Sequence, residues 1–270
     1  MKKNIVLSLS ILIAFALISC SKSDNPAESE TSVTVAADYY PGGVGSSYTY
    51  NSTYKHNSST DNGTRTSTYE TKESKDNTEY TKQKNTSIFG NLQVESSLYF
   101  RTSDSGIYFY IDTTGFGSTI DSLKAAAGIS LDVSITADPE INVFSAPLTA
   151  NKTWHAYKLN LSISGLFNIP LIDVTATYMG TEDISVAATN STKSAEKIKY
   201  DLTLTLPEVK NGSITTSSSV FGANVWYVKG IGAVKLDGNG LILDALSSGV
   251  INFSDSTSTI TQTLTSFQLK

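Results

Sequence analysis

Few residues in this chain are suited to acid–base or nucleophilic chemistry. It has two histidines, His56 and His155, and neither has an acidic residue close by in sequence to orient its imidazole. A serine nucleophile would need a Gly-x-Ser-x-Gly turn or an equivalent, and that motif is absent. The sequence therefore argues against a catalytic triad, although residues that are distant along the chain can still converge in the fold.

Two carboxylate pairs have the composition of a glycoside hydrolase site, Glu182 with Asp183 and Asp138 with Glu140. Adjacent residues on a strand point to opposite faces, and the second pair flanks a proline in a predicted turn. Solvated surface charge is the simpler interpretation of both. A calcium loop would need several carboxylates, and "KLDGNG" at 235–240 supplies one. We expect no enzymatic activity, no metal site and no cofactor.

The glycines of "GIGAVKLDGNG", residues 230–240, have spacing that suggests a phosphate-binding loop. Such a loop requires a helix directly after it and a Lys-Ser or Lys-Thr pair. We predict a strand and a turn here, with no helix following, so the phosphate interpretation fails in its context.

Cys20, the one cysteine, ends a different pattern. Lys2 and Lys3 precede an apolar run over residues 5–18, and Ser19 lies directly before the cysteine. The run is shorter than the roughly 20 residues of a membrane-spanning helix, and the arrangement is typical of a signal peptide. We predict a signal peptide over 1–19. A lone cysteine also excludes an internal disulfide and a cysteine-based metal site.

The residues "LISC" resemble the lipobox of bacterial lipoproteins, with Leu17 three residues before the cysteine and a small residue just before it. Ile18 is larger than the residue usual in that motif, and an ordinary secreted protein is the alternative. The resemblance implies cleavage before Cys20 and attachment of palmitate-type acyl chains, which would anchor the protein stably to a membrane. Because Ser21 follows the cysteine, the resemblance implies a Gram-negative outer membrane, facing the periplasm or the cell surface.

Residues 20–36 are rich in Ser, Asp, Glu and Ala, and predict a lipidated cysteine followed by a flexible tether. Cleavage before Cys20 would also remove two lysines, so the formal net charge of −5 would become −7. A nucleic-acid-binding protein needs a basic surface that displaces counterions. We therefore expect no nucleic-acid partner, and membrane attachment through the lipid alone.

Residues 37–270 predict a single domain that is mainly β. Apolar side chains alternate with Ser, Thr and Asn in several stretches, as in Tyr157, Leu159 and Leu161 or Tyr200, Leu202 and Leu204. The connections offer few helices long enough for parallel crossovers, so the strands should be antiparallel. "STIDSLKAAAG" at 118–128 is the one helix predicted, with Ser118 as N-cap and Gly128 as stop, and it would plug one end of the sheet.

Residues 57–85 are unusually polar, with Tyr69 and Tyr80 as the only large apolar side chains. The recurring threonines favour a solvated hairpin that turns at residues 61–63 and faces water on both sides at the rim of the sheet. Disorder is the alternative.

Four segments together resemble a set of bacterial lipoproteins of unassigned function: "YYPGGVGSSYTY" (39–50), "PLTANKTWHAY" (147–157), "YMGTEDISVAATNSTKSAEKIKY" (178–200) and "VWYVKGIGAVKLDGNG" (225–240). The resemblance implies a lipoprotein-carrier-like (LolA-like) architecture, a curved antiparallel sheet or incomplete β-barrel with one short helix as plug. Trp154 and Trp226 lie in strand patterns within these segments. We expect both to be core anchors, with contact to an apolar ligand as their alternative role.

Two functions are consistent with these sequence patterns. The first is a non-catalytic lipoprotein of the cell envelope that binds or carries an apolar small molecule or lipid, which predicts a pocket of about 300 Å³ or more. The alternative is a structural or interaction lipoprotein that binds a protein or glycan partner of the envelope. It predicts a packed interior and an exposed apolar or aromatic patch.

Overall fold

The structure is a computed structural model, and it describes residues 34–112, 133–163, 167–210, 213–249 and 256–270. The chain divides into two compact units, Met1–Val33 and Thr34–Lys270, and the described residues belong to the second. The predicted signal peptide, Cys20 and the predicted helix at 118–128 lie outside the described residues. Among the described residues, no helix has the length and apolar character needed to cross a bilayer.

One antiparallel sheet of thirteen strands forms the described unit, which confirms the predicted class. The strands are β1 (Ser47–His56), β2 (Ser59–Lys75), β3 (Thr78–Phe89), β4 (Leu92–Thr102), β5 (Gly106–Tyr110), β6 (Val133–Ala137), β7 (Glu140–Ser145), β8 (Thr153–Ile163), β9 (Phe167–Val186), β10 (Ser191–Lys210), β11 (Ser213–Val228), β12 (Gly232–Asn239) and β13 (Thr259–Gln268). Two 3-10 helices, η1 (Ala36–Tyr39) and η2 (Ala187–Thr189), and one α-helix, α1 (Gly240–Ser248), complete the described elements.

The strand order is β6-β8-β9-β10-β11-β12-β13-β1-β2-β3-β4-β5-β7, so the last strand of the chain stands in the middle of the sheet. The two edge strands, β6 and β7, are consecutive in sequence, and the chain passes from one edge to the other at residues 138–139. The sheet is curved and does not close into a continuous ladder.

Side chains bridge the gap between β7 and the start of β8. Trp154 Nε1 donates to the backbone oxygen of Asn142 at 2.9 Å, and Lys152 Nζ donates to the backbone oxygen of Ser145 at 2.9 Å. Unpaired carbonyl groups on an edge strand would otherwise be free to recruit another strand. These two bonds link β7 to the start of β8 across the open side of the curved sheet. Trp154 is half-buried at this position.

The inner face of the sheet is aliphatic over β8 to β11. Neighbouring strands align their apolar residues in register, for example Val174 opposite Leu202 and Ile198 opposite Val225. Residues at alternate positions share a face, so each strand contributes one row of side chains to the core. We call these inward side chains the aliphatic half; its buried members include Leu159, Leu161, Ile172, Val174, Ile198, Leu202, Leu204 and Val225.

The polar stretch at 57–85 forms a hairpin, as preferred from the sequence, but it turns at Asp76 and Asn77 and not at residues 61–63. Both turn residues have positive φ, which Asp and Asn tolerate better than most side chains. The expected position at the rim with both faces in water is also wrong, because β2 and β3 lie between β1 and β4. One face of this hairpin is buried.

α1 follows β12 directly, so the prediction that no helix follows "GIGAVKLDGNG" is wrong. The Asn239 side chain accepts a hydrogen bond from the N–H of Leu241 and caps the helix, and Gly249 ends it with positive φ. Most of the helix is buried, and its partly exposed residues, Asp244, Ser247 and Ser248, form one narrow polar face. α1 packs on β4, β11, β12 and β13, and so occupies the plug position predicted for residues 118–128.

η1 lies against the sheet at the start of the described unit. Ala36 is buried, and its N–H donates to the backbone oxygen of Asp104 at 3.0 Å. Residues 34–36, assigned from sequence to the tether, thus contribute to the folded unit.

Candidate functional site

Polar side chains occupy the inner face of β1, β2 and β3. Strand alternation directs Arg65, Ser67 and Tyr69 inward from β2, and Gln83 and Asn85 inward from β3. We call the inner face of these three strands the polar half of the core.

A chain of hydrogen bonds connects the amides of the polar half. The Tyr40 hydroxyl donates to Gln83 Oε1 at 2.8 Å, and Gln83 Nε2 donates to Asn85 Oδ1 at 2.8 Å. Ser67 Oγ donates to the same Asn85 oxygen at 2.6 Å. Asn85 Nδ2 in turn donates to the backbone oxygen of Ser247 at the end of α1. The network therefore ties the hairpin of β2 and β3 to the helix that plugs the core.

Arg65 is the one cation of this network, and its side chain is only 6% exposed. The guanidinium carbon lies 4.6 Å from the centre of the Tyr50 ring, a cation–π contact. Its Nε and Nη1 atoms have no hydrogen-bond acceptor. Among the described residues no carboxylate forms an ion pair with it, whereas Arg101 on β4 pairs with Glu140 at 2.6 Å.

Tyrosines surround the guanidinium and are held neutral by their environment. Burial raises the pKa of Tyr40, Tyr48, Tyr69 and Tyr227 well above the usual value. Burial also raises the pKa of Tyr50, and the charge of Arg65 opposes that rise. Near neutral pH the phenols are therefore hydrogen-bond donors and carry no charge.

A small cavity lies among these groups, with a volume of about 30 Å³. Its lining includes Tyr50, Arg65, Ser67, Gln83, Tyr227 and, from α1, Leu246. The volume is about one water molecule's share of the liquid. It is therefore about a tenth of the pocket that the carrier interpretation requires.

Trp154 and Trp226, the two tryptophans proposed as alternative ligand contacts, do not line this cavity. Trp226 is 4% exposed and shares a face with its register neighbours Lys197 and Lys235, opposite to the inward Val225. The two ammonium groups lie 4.9 and 4.4 Å from its ring centre. Its Nε1 donates to Glu182 Oε2 at 2.9 Å, and this bond, with that of Lys197, lowers the pKa of Glu182.

The fold does orient one histidine with acids that are distant in sequence. His155 Nε2 lies 2.8 Å from Asp138 Oδ2, and its Nδ1 lies 3.7 Å from Asp173 Oδ1. All three side chains are substantially exposed, and no hydroxyl group of the described residues bonds to this imidazole.

The other candidate acids are separated from one another. Glu140 binds Arg101 and accepts from the Tyr80 hydroxyl, while Asp138 binds His155. Within the described ranges, no three His, Cys, Asp or Glu side chains come together in a group that could hold a metal ion.

An exposed apolar patch lies at the tip of the β3–β4 hairpin. Leu92 is 61% exposed and Val94 is 49% exposed, and their alternate positions put them on one face. Phe89 is the register partner of Leu92 and shares that face. We call these three residues the hairpin patch. Val220 on β11 is equally exposed, but it stands among serines and threonines.

The functional interest of Arg65 was not predicted from the sequence. The signal was available in "TRTSTY", because Arg65, Ser67 and Tyr69 alternate on one face with threonines and serine on the other. An arginine in such a row suggests solvent, so the polar face was assigned to water.

Comparison with solved structures found two distant likenesses. A candidate exported protein of Bacteroides fragilis, described as having a YmcC-like fold, has a TM-score of 0.43 and 14% identity over 87% of this chain and 99% of its own. A candidate lipoprotein of Parabacteroides distasonis has a TM-score of 0.43 and 11% identity over 86% of this chain and 99% of its own. At these scores neither likeness carries an inference about this chain. No family model matches the chain, and no curated protein matches its sequence.

Proposed function

We propose that this protein is an exported lipoprotein of the cell envelope, anchored through Cys20, whose folded unit is a non-catalytic interaction module for another envelope protein. The observation that carries this proposal is the filled core. The cavity among the described inner side chains of β1 to β3, β11, β12 and α1 has a volume of about 30 Å³, far too small for an acyl chain or another apolar ligand of ordinary size.

A LolA-like carrier would need the inner face of the sheet to be accessible. Here α1 lies on that face and is bonded to Asn85, so opening it would break a buried hydrogen-bond network. Contacts with a partner are therefore expected at exposed side chains beyond the packed core, such as Leu92 and Val94, which continue the face of the buried Leu98 and Phe100 to the tip of the hairpin.

The hairpin patch is the part of the described surface best suited to such a contact. Leu92 and Val94 expose apolar area side by side, and burying it against a partner is favourable by roughly 25 cal/mol per Å². On the same face the neighbouring positions are Ser87 and Ser96, whereas the ion pair of Lys84 and Glu95 lies on the opposite face of the hairpin. An apolar centre with a polar rim is the usual anatomy of a protein–protein contact.

Photo-crosslinking in the native host tests the contact. A photoreactive phenylalanine analogue replaces Leu92 in the full chain, and we expect it to capture one protein of defined mass. The matched control carries the same analogue at Val220, which is 66% exposed but has the polar Ser218 and Thr203 beside it on its face, and should capture nothing specific. Identical capture from both positions, or a glycan adduct from Leu92, would overturn the proposed partner class.

The anchor is tested by labelling the same host with an alkyne analogue of palmitate. The wild-type chain should take up the label and lose residues 1–19, and the variant Cys20→Ala should do neither. A wild-type chain that is cleaved but carries no label would identify a secreted protein without a lipid.

A further inference from the structure

The polar half of the core contains a positive charge that the described protein does not neutralise. Arg65 is 6% exposed, and an arginine cannot lose its proton to escape the cost of burial. A buried charge is normally paired, because desolvation of an unpaired ion costs several kcal/mol. Arg101, one strand from β3, shows the usual arrangement with its two bonds to Glu140.

The neighbours of Arg65 use their polar atoms largely for one another, and Nε and Nη1 of Arg65 find no acceptor among them. Asn85 Oδ1 already accepts two hydrogen bonds, and Gln83 Oε1 accepts one from Tyr40. The phenol of Tyr50 donates to the backbone oxygen of Ala233 at 2.9 Å. Nε and Nη1 of the guanidinium remain without an acceptor beside the cavity that Arg65 lines.

The cavity has the size and the charge for one small anion. Its volume of about 30 Å³ is enough to hold a water molecule, and a halide ion is only slightly larger than water. A halide ion is spherical and accepts hydrogen bonds from N–H and O–H donors in any direction. Unlike a carboxylate, it does not need two parallel donors in one plane. Water would accept hydrogen bonds from Nε or Nη1 as well, but it would leave the charge uncompensated.

We propose that this cavity is a halide-class anion site in which Arg65 is the principal ligand. The anion joins the hairpin of β2 and β3 to β12 and α1, whose residues line the other walls. It is a structural ligand of the core, and the proposal does not depend on the protein partner or on the lipid anchor.

Thermal unfolding of the full chain in detergent tests the site, in sodium bromide or chloride against sodium gluconate at equal ionic strength. Gluconate is too large for the cavity. At a halide concentration about a hundredfold above Kd, we expect Tm to rise by roughly 5 to 10 °C relative to gluconate. Equal Tm values in the two salts would overturn the proposal.

Two variants separate the site from general salt effects. Arg65→Met keeps an apolar side chain of similar length, and its Tm should be the same in halide and gluconate. Lys84→Met also removes one cation, but from the surface of β3, and should keep the full halide response. A halide response retained by Arg65→Met would overturn the assignment.

A direct measurement covers the case in which Arg65→Met fails to fold. Crystals of the wild-type chain grown in sodium bromide should show one anomalous peak within hydrogen-bond distance of the Arg65 guanidinium. Density for water alone at that position would overturn the proposal.

Discussion

On β8 to β11 the inner face carries mostly leucine, isoleucine and valine, with Tyr157 and Tyr200 among them, whereas on β1 to β3 the same face carries an arginine, two serines, a glutamine and an asparagine among its tyrosines. The aliphatic half is held by area removed from water, a non-directional force that any close packing satisfies. The polar half is held by hydrogen bonds, which have strict geometry and a high cost if left unmade. One sheet thus combines a half in which many apolar packings are acceptable with a half in which hydrogen-bond geometry must be met.

The change from one half to the other can be followed along a single row of side chains. Ile198, Val225 and Leu236 lie in register on β10, β11 and β12, and the row continues through Gln262 and Ser52 on β13 and β1. Gln262 Oε1 and Ser52 Oγ have no hydrogen-bond partner. The first two polar side chains of the row therefore each bury an oxygen atom that has no hydrogen-bond partner.

The largest effect should come from alkaline pH, which acts on the tyrosines. In an unfolded chain tyrosine ionises near pH 10, and in this fold burial raises the pKa of Tyr39 and Tyr80 to about 12. Folded values above the unfolded value give stability that is intact below pH 10 and lost as pH rises through the folded values. We expect complete unfolding around pH 12.

The order of events at alkaline pH distinguishes the two halves. Arg65 opposes the rise that burial causes in the pKa of Tyr50, whereas Asp138 adds to the raised pKa of Tyr157 on β8, so Tyr50 should ionise before Tyr157. Both tryptophans lie on β8 and β11, so their fluorescence reports on strands of the aliphatic half. Absorbance at 295 nm should rise before the tryptophan emission shifts. A single coincident transition would show that the halves do not differ in this respect.

Leu202→Ala should have the next largest effect, because it removes a buried side chain from the aliphatic half. The lost transfer free energy and the remaining cavity should destabilise the fold by about 2–5 kcal/mol. Val220→Ala, on an exposed position of the adjacent strand, should change stability by less than about 0.5 kcal/mol. Urea denaturation of both variants measures the difference, and equal losses would contradict the assigned core.

Asn85→Ala should destabilise the polar half by about 1–3 kcal/mol, since it leaves the donors of Ser67 and Gln83 without their acceptor. Adding Ser67→Ala should then cost less than it does alone, because the partner is already gone. A double-mutant cycle by urea denaturation measures this coupling. Strictly additive losses would mean that the hydrogen bonds are not a network.

The smallest effect should come from the outer face of β11. Glu182→Gln weakens the bond to Trp226 and the exposed ion pair with Lys197, so it should cost at most about 1 kcal/mol. The lowered pKa of Glu182 gives stability that is present above the unfolded value and lost as pH falls through the folded value. The wild type should therefore lose its advantage over the variant in acid, and an unchanged difference at low pH would exclude the carboxylate as the cause.

Sequence patterns predicted the aliphatic half well and the polar half poorly. Alternating Tyr157, Leu159 and Leu161 defined both the strand and its buried face, because apolar residues have one preferred side. The sequence predicts a solvent position for Arg65 and Asn85. The identity of a polar side chain does not show whether the folded core contains a hydrogen-bond partner for it. The sequence predicts the turn at residues 61–63, but the structure places all three inside β2, where Phe89 and the backbone of Ile88 approach Gly63 closely.

α1 was missed for the opposite reason. Five of the six residues of "LILDAL" are apolar and the polar face of the helix is narrow, so the run shows little of the period by which amphipathic helices are recognised. Its cap, Asn239, and its stop, Gly249, were the available signals. The candidate site could not be predicted because the cavity depends on the register between β2, β3, β12 and α1, which no local pattern encodes.

The central position of β13 has a consequence for the time course of folding. β13 is ten residues long and pairs with both β12 and β1. It therefore joins the six strands on one side of it in the sheet, which end with β12, to the six strands on its other side, which begin with β1. Contacts between residues separated by more than 200 positions, such as Tyr50 with Leu264, form slowly because a large loop must close first. While the chain emerges from its amino end, β1 lacks a paired strand on one side. The two halves can therefore form one continuous sheet only after β13 has emerged and paired with both β12 and β1.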